Sequence, residues 1–293
     1  MKAVVYSLFG YGKPREANSF DFPSYLRGLM VNVRMNRLLF PDWHIIVETH
    51  HDTYEAFKDL FSCVDVRVND PAPLCLAMLW RMKPIFETEH GVWKYDHVIC
   101  RDTDSPPTYR EAQAVQYWIN RDKAVHAITD SVSHKIPMLG GMIGVRPRYY
   151  TERVAQTWQE MIDLGRGIDF KNKGSDQTFL NTHIYPRFAK PGQDSITQHY
   201  FNGMPNTFLS DYKTCTCPPT SGHESHCLNN IDLPLHAELR ESNSVCGHIG
   251  AAGYYSGAMF KFLYKYRDQF QDLLELESAY PKVFYWAQDE TFK

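Results

Sequence analysis

Two aspartates one residue apart follow a short apolar run near the middle of the chain. The run Val98-Ile99-Cys100 has the composition of a strand buried on both faces, and Arg101-Asp102-Thr103-Asp104 follows it directly. In mostly parallel sheets, ligands bind outside the carboxyl ends of the strands. Carboxylates there are typical ligands of Mg²⁺ or Mn²⁺, which also takes phosphate oxygens and waters. The spacing predicts that Asp102 and Asp104 hold a divalent cation with a phosphorylated substrate.

The alternative is a structural role for the same acids. Paired acids often solvate a loop or cap a helix, so Asp102 and Asp104 could brace the following turn, with Arg101 paired to one of them. Other phosphate-binding motifs are missing from the sequence. Gly10-Tyr11-Gly12 lacks the third glycine of a dinucleotide fingerprint, since position 15 is Arg, and neither a Walker loop nor a nucleophile elbow occurs.

A second polar segment, Gly174-Ser175-Asp176-Gln177, begins as a loop and continues into a predicted helix. An acid and an amide at the start of a helix could orient a sugar, which makes Asp176 and Gln177 candidate site residues. The alternative is that Ser175 or Asp176 caps the helix.

Two groups of histidine and cysteine lie towards the carboxyl terminus. His248 stands in a glycine-rich segment, Cys246–Gly253, whose backbone could approach a phosphate, and its imidazole could be a third metal ligand or purely structural. A second group has enough soft ligands for a structural Zn²⁺, with free thiols and imidazoles in a surface loop as the alternative. This group comprises Cys215, Cys217, His223, His226 and Cys227.

The elements around these residues alternate between strands and helices, which predicts an α/β fold. Strands are predicted at residues 2–9, 44–48, 64–68, 96–100, 125–128 and 142–145. Helices are predicted at residues 25–39, 54–61, 74–86, 108–120, 153–163 and about 259–274, with Thr108 and Glu111 in a capping box. Residues 190–247, rich in Pro, Asn, Ser, His and Cys, are predicted to form irregular loops.

Composition excludes several classes of function. A formal net charge of -3 and a pI near 6.5 give no reason to expect a nucleic-acid partner. Apolar runs fall short of the roughly 20 residues that a membrane span needs. Seven scattered cysteines argue against a disulfide framework, so we expect a cytoplasmic protein. The oligomeric state cannot be read from the sequence.

The order of strand, Asp-x-Asp, Gly-Ser-Asp-Gln and a late histidine resembles the nucleotide-sugar glycosyltransferases of GT-A fold, especially the glycogenin and galactosyltransferase-like family 8. The resemblance implies one GT-A-like domain over residues 1–293, with a mostly parallel central sheet flanked by helices and an irregular carboxyl-terminal region. Residues 1–105 would form the nucleotide-binding half, and residues 106–293 would bind the acceptor and complete the metal site.

Site residues follow from the same resemblance. It implies Asp102, Asp104 and His248 as ligands of Mn²⁺ or Mg²⁺, with Asp176 and Gln177 as the catalytic pair near the transferred sugar. The exit of the first strand would contact the nucleotide base or ribose, through Ser7, Leu8, Phe9 and Gly10.

Residues 75–185 are similar to a poorly characterised set of bacterial and viral proteins of this type, through three groups of residues. These are Leu79–Pro84, Arg101–Glu111 with Trp118, His126, Asp130 and His134, and Gly140-Gly141-Met142. This similarity adds further residues to the nucleotide-sugar site, namely Trp80, Arg81, Lys83, Arg101, Asp102 and Gly141. The cations of Arg81 or Lys83 could neutralise a diphosphate, or could equally lie on a solvated helix face.

The implied activity is metal-dependent transfer of a sugar from a nucleotide-sugar to a hydroxyl of a glycan or glycoconjugate, as in hexosyltransferases. Two alternatives remain. Family 8 enzymes commonly read His-x-x-Gly-x-x-Lys-Pro-Trp at the late histidine, and this chain lacks the lysine. The first alternative is therefore a non-catalytic protein that binds a nucleotide-sugar or glycan. The second is a metal-dependent phosphoesterase that uses the same acids.

Overall fold

The computed structural model describes residues 1–11, 22–62, 64–105, 107, 109–129, 136–189, 195–200 and 224–227. The elements in chain order are β1 (Lys2–Leu8), α1 (Phe22–Leu39), β2 (Trp43–His50), α2 (His51–Phe57), β3 (Asp65–Asn69), α3 (Leu74–Leu79), β4 (Thr88–Glu89), β5 (Val92–Trp93), β6 (His97–Arg101), α4 (Tyr109–Ile119), β7 (Val125–Thr129), β8 (Met142–Val145), α5 (Pro147–Arg153), α6 (Trp158–Asp163), α7 (Ser175–Phe179), β9 (Ile196–Tyr200) and β10 (Glu224–Cys227). Short 3-10 helices span Lys58–Phe61, Trp80–Phe86 and Tyr185–Arg187, and a π-helical turn spans Leu180–Ile184.

Eight strands form one sheet in the order β10-β9-β7-β8-β6-β1-β2-β3. All neighbours pair in parallel except β8, which is antiparallel to both β6 and β7. Strands β4 and β5 form a separate antiparallel hairpin. The predicted α/β fold with a mostly parallel central sheet is thus confirmed.

Helices cover both faces of the sheet, as the residues of β1 show. Val5 packs in a cluster with Met82 and Tyr150, from the side of the second 3-10 helix and α5. Its neighbour Val4 packs in a different cluster with Leu29 of α1. Because successive residues of a strand point to opposite faces, a strand covered on both sides must be apolar throughout. The run in β6 has this character, and its three central residues are at most 2% exposed.

Two predicted segments differ from the structure. The helix predicted over residues 153–163 forms only over its second half, because α5 ends at Arg153 and α6 begins only at Trp158, where Thr157 accepts a hydrogen bond from the Glu160 N–H at 3.2 Å. Strands β9 and β10 lie within the region predicted to be irregular loops. Polar composition misled the prediction there, because buried Gln198 of β9 donates a hydrogen bond to Thr129 of β7 at 3.0 Å.

Some predictions fall outside the described residues, including the helix at about 259–274. Among the helices of the described ranges, none combines the length and apolar character that crossing a bilayer requires.

A buried histidine, His126, lies among aromatic rings in β7. The ring of His126 stacks on Trp118, with 4.6 Å between ring centroids, and meets the edge of His199 at 5.3 Å. Gly144 of β8 leaves the space that the imidazole occupies, since a Cβ there would lie 2.4 Å from its Cδ2. Burial lowers the pKa of His126 to about 3, so the folded protein keeps it neutral well below the pH at which an unfolded chain protonates it.

We expect the free energy of unfolding to fall as the pH drops below about 6.5, where His126 of the unfolded chain begins to bind a proton. Between pH 7 and pH 5 this one histidine should account for about 2 kcal/mol. Denaturant titrations of the wild type and His126→Gln at both pH values measure the difference. His44→Gln, at an exposed histidine of β2, is the control. An equal fall in wild type and His126→Gln would contradict the prediction.

Candidate functional site

Three polar side chains meet where β1 and β6 end. Parallel pairing of Tyr6 with Arg101 places Ser7 and Asp102 side by side at the carboxyl ends of the two strands. Arg81, from the 3-10 helix that crosses this edge, donates its backbone N–H to Ser7 Oγ at 3.0 Å. Its Nη1 donates to the Arg101 carbonyl at 3.3 Å and contacts Asp102 Oδ1. The Arg81 side chain is 4% exposed and the Asp102 side chain 39%, so solvent reaches the carboxylate but hardly the guanidinium.

A side chain of α1 hydrogen-bonds to the backbone of the turn that carries the two aspartates. Buried Asn32 donates from Nδ2 to the Asp102 carbonyl at 3.0 Å and to the Thr103 carbonyl at 3.2 Å. Burial, together with the charge of Asp102, raises the pKa of Asp104 to about 7. Two carboxyl groups this close resist double ionisation unless a cation joins them.

A third carboxyl group reaches the same place from α7. Asp176 lies in the first turn of α7, after Gly174, whose φ of 84° is in the left-handed region that glycine adopts readily. The residue is 2% exposed, and its Oδ2 makes no hydrogen bond with the described residues. Burial raises the pKa of Asp176, and the nearby charge of Arg81 opposes the rise. The Arg81 guanidinium therefore pairs with Asp102, and its charge also acts on the carboxyl groups of Asp104 and Asp176.

Two glycines let the backbone approach these groups closely. A Cβ on Gly141 would lie 1.9 Å from Asp102 Oδ2, and a Cβ on Gly140 would lie 2.6 Å from Arg81 Nη2. Gly141, predicted in the nucleotide-sugar site, thus lies against the Asp102 carboxylate. A larger residue at either position would displace the charged pair.

Arg101, predicted to contact the nucleotide-sugar, is a buried bracing residue in the structure. Its side chain is 1% exposed and forms an ion pair with Glu111 of α4, with 3.1 Å between Nε and Oε1. It also donates to the Gly141 carbonyl at 3.1 Å and to the Ser105 carbonyl at 3.2 Å. The ion pair between Arg101 and an aspartate, part of the structural alternative, does not occur among the described residues, because Arg101 pairs with Glu111 and Asp102 pairs with Arg81.

Lys83 points away from the aspartates. Its Nζ contacts Asn69 Oδ1 and lies over the rings of Trp80 and Trp158, 5.9 Å and 5.5 Å from their centroids. Asn69 in turn donates to Glu48 Oε2 at 2.8 Å. Lys83 is therefore engaged at the ends of β2 and β3, apart from Asp102.

The side chains of Leu8, at the end of β1, and Phe9, just after it, lie in different hydrophobic clusters. Phe9 meets the edge of Trp80, with 5.6 Å between ring centroids, and both pack with Ala77. The side chain of Leu8 is buried in the opposite core beside α1, which leaves only its backbone for a ligand. Gly10 turns the chain sharply with a φ of 97°. A nucleotide could contact Phe9 and Trp80 only along their few exposed atoms.

A side chain that the sequence did not single out connects α7 to the glycine segment. Asn181 Nδ2 donates to the Gln177 carbonyl and to the Met138 carbonyl, both at 2.8 Å. Its Oδ1 accepts from the Met138 N–H at 3.0 Å. Asn181 thereby joins the turn of Asp176 to the chain that leads into Gly140, while the Gln177 side chain is half-buried.

Asp102 and Asp104 supply oxygen ligands of the type that a hard divalent cation takes. The described part of the chain contains no group of three or more His, Cys, Asp or Glu side chains arranged to hold a metal ion. Two carboxylates suffice for Mg²⁺ or Mn²⁺ when substrate phosphates and waters complete the shell. His248, Cys215, Cys217 and His223 lie outside the described residues, and of Cys227 only its place in β10 is described.

We expect Asn32→Ala to weaken Mn²⁺ binding at the aspartates about tenfold, because it frees the turn that orients them. The matched control is Asn36→Ala, one helical turn further along α1. Asn36 is equally buried but donates to Tyr6 Oη, at 2.5 Å, and not to the turn. Each variant should lose about 1–3 kcal/mol of stability. Isothermal titration with Mn²⁺ measures the affinity, and equal weakening by both variants would contradict a role for Asn32 in positioning.

No protein-family model matches the chain, and no curated protein matches its sequence significantly. Solved structures show weak likeness. A candidate nucleotide-diphospho-sugar transferase from Desulfovibrio desulfuricans is 14% identical, covering 68% of this chain and 79% of its own, with a TM-score of 0.42. An active-site mutant of LgtC is 10% identical, and the match covers 84% of this chain and 95% of its own with a TM-score of 0.39. Mouse xyloside xylosyltransferase 1 is 8% identical, and the match covers 64% of this chain and 83% of its own with a TM-score of 0.38. Likeness at this level assigns no activity to this chain.

Proposed function

We propose that this protein is a metal-dependent glycosyltransferase that moves a sugar from a nucleotide-sugar donor to a hydroxyl of a glycan or glycoconjugate. The observation that supports this proposal is the ion pair of Asp102 with buried Arg81 at the carboxyl ends of β1 and β6, with the carboxyl groups of Asp104 and Asp176 near enough for the charge of Arg81 to oppose the rise of their pKa values by burial. A sugar diphosphate needs positive charge at its phosphates and oxygen acceptors at its hydroxyls. These residues offer both within one site.

Asp102 and Asp104 are the residues that would hold the cation. When bound, Mg²⁺ or Mn²⁺ would stabilise the negative charge that develops on the departing diphosphate. Arg81 supplies a permanent charge beside Asp102 and can donate hydrogen bonds to phosphate oxygens. Asn32, Gly141 and the Arg101–Glu111 pair keep the aspartates in place. His248 remains the proposed third ligand.

Asp176 is the proposed catalytic residue on the sugar side, with Gln177 beside it. Its buried Oδ2, which no described residue hydrogen-bonds, can accept from a hydroxyl of the transferred sugar. In the reaction, the bond between the anomeric carbon and the diphosphate oxygen breaks, and a bond to the acceptor oxygen forms. The diphosphate leaves with the bonding electron pair, and the proton of the acceptor hydroxyl passes to the departing diphosphate oxygen. Asp176 would keep the sugar oriented while this exchange occurs.

The exits of β1 and β2 form the neighbouring surface, where the nucleoside would lie. Phe9 and Trp80 expose only a few atoms there, and Ser7 anchors the backbone of Arg81 between the nucleoside and the cation. In this proposal Ser7 acts through Arg81 rather than by direct contact with the base.

A thermal-shift screen tests the proposal. Purified protein is combined with UDP-, GDP-, ADP-, CMP- or dTDP-linked sugars, each with Mn²⁺, Mg²⁺ or a chelator. A ligand that binds the folded state raises its apparent stability, by about 2.7 kcal/mol when its concentration is 100 times Kd. We expect one nucleotide class to stabilise the protein only with a divalent cation. Stabilisation that is indifferent to chelation would contradict the metal-dependent site.

A further inference from the structure

The guanidinium of Arg81 is fixed in place as the internal counter-ion of Asp102. Around it the Arg81 backbone donates to Ser7 Oγ at 3.0 Å and accepts from Cys100 Sγ at 3.4 Å. Gly140 leaves the space that Nη2 fills. The residue is 3% exposed, and its Nε is buried without a hydrogen-bond partner among the described residues. The guanidinium is therefore held against the Asp102 carboxylate by the fold around it.

The positive charge of Arg81 opposes the binding of a second cation at Asp102. Arg81 carries one charge that does not titrate in the working range, and it lies close to both Asp102 and Asp176. A divalent cation that binds Asp102 must share this carboxylate with the guanidinium and also lie within a few ångströms of it. Like charges repel strongly in a partly buried site, because solvent screens them poorly.

A diphosphate removes this conflict. Its oxygens carry negative charge, so they can bind the metal and at the same time offset the positive charge of the nearby guanidinium. Placed between the two cations, it converts their repulsion into attraction towards a common anion. The cation and the diphosphate should therefore strengthen each other's binding equally, as linkage requires.

We infer that Arg81 makes cation binding at Asp102 depend on the donor's diphosphate, by competing for the carboxylate while the donor is absent. The inference rests on the proposed function, since it concerns the same cation and donor. It adds that Mn²⁺ alone binds weakly and that the cation enters the site effectively only together with a nucleoside diphosphate.

The test is the affinity for Mn²⁺ alone, measured from the EPR signal of free Mn²⁺, in the wild type, Arg81→Met and Lys83→Met. Arg81→Met removes the guanidinium and keeps the backbone contacts. Lys83→Met is the matched control, because it removes a positive charge from the same 3-10 helix without touching Asp102. We expect Arg81→Met to bind Mn²⁺ about tenfold more tightly than the wild type, and Lys83→Met to change the affinity less than about twofold. Arg81→Gln removes the charge but keeps a polar group, and it should bind Mn²⁺ about as tightly as Arg81→Met. It provides a second test in case Arg81→Met does not fold.

A second arm adds UDP, GDP, ADP or CDP in turn, with a protein-free blank for each. One of them should tighten Mn²⁺ binding to the wild type about tenfold more than it tightens Mn²⁺ binding to Arg81→Met. If the wild type binds Mn²⁺, and the folded Arg81→Met and Arg81→Gln variants bind it no more tightly, the inference is overturned while the proposed function stands. If the wild type binds no Mn²⁺ with any diphosphate, the proposed function fails as well.

Discussion

Asp102→Asn is expected to lower the rate of sugar transfer at least about 100-fold, the largest effect that the site predicts. The substitution removes the exposed carboxylate that would bind the cation and also leaves the buried Arg81 guanidinium without its ion-pair partner. Donor binding should lose its dependence on Mn²⁺. The rate is measured as nucleoside diphosphate released from the stabilising donor at saturating Mn²⁺.

Asp96→Asn is the control for this variant. Asp96 lies just before β6, at the opposite end of the strand, where its exposed carboxylate pairs with the amino terminus at 2.8 Å. Removing this charge should leave the rate within about twofold of the wild type. Circular dichroism confirms that both variants fold. Full activity of a folded Asp102→Asn protein would exclude the proposed metal site.

Asp176→Asn is expected to lower the activity without lowering the thermal stability. Because burial raises the pKa of Asp176, its charged form disfavours the folded state above the ordinary carboxyl pKa. A neutral amide of the same shape should leave the thermal stability unchanged or raise it. The same change removes the acceptor proposed for the transferred sugar, so kcat should fall about 100-fold while the donor KM changes little.

The comparison for Asp176 is Asp163→Asn, at an exposed acid in α6. It should change neither kcat nor the melting temperature. A purely structural Asp176 would show the opposite pattern, a loss of melting temperature with kcat preserved in the remaining folded protein. Steady-state kinetics at saturating Mn²⁺, together with thermal melts at pH 7, distinguish the two patterns.

The sheet and the position of the aspartates could be predicted from local sequence, because both rest on strand-length patterns. Val98-Ile99-Cys100 is apolar at every position, which a strand covered on both faces requires, and the acids follow it at once. The polar strand β9 could not be recognised in this way. Its burial depends on hydrogen bonds to β7 across some 70 residues, as between Gln198 and Thr129.

The supporting residues of the site were missed for the same reason. Asn32 and Asn36 stand four residues apart on the buried side of α1, among apolar residues such as Leu29 and Val33. Two buried amides in an apolar stripe are a usable signal, since each must find a hydrogen-bond partner. The sequence does not say that one partner is the backbone of the aspartate turn. Glu111, placed by its spacing in a capping box, is the buried partner of Arg101 for a similarly nonlocal reason.

The central claim is that the site breaks the bond between the anomeric carbon and the diphosphate, and ³¹P NMR tests this most directly. The donor selected by the thermal-shift screen is incubated with Mg²⁺ and protein, with and without simple sugar acceptors, and the phosphorus products are identified. We expect a nucleoside diphosphate to form with wild type and Asp96→Asn, and not with chelator or Asp102→Asn. A nucleoside monophosphate with sugar phosphate would show cleavage between the phosphates instead, which would contradict a transferase and indicate a phosphoesterase. Bound donor that stays intact with every acceptor would indicate a binding protein.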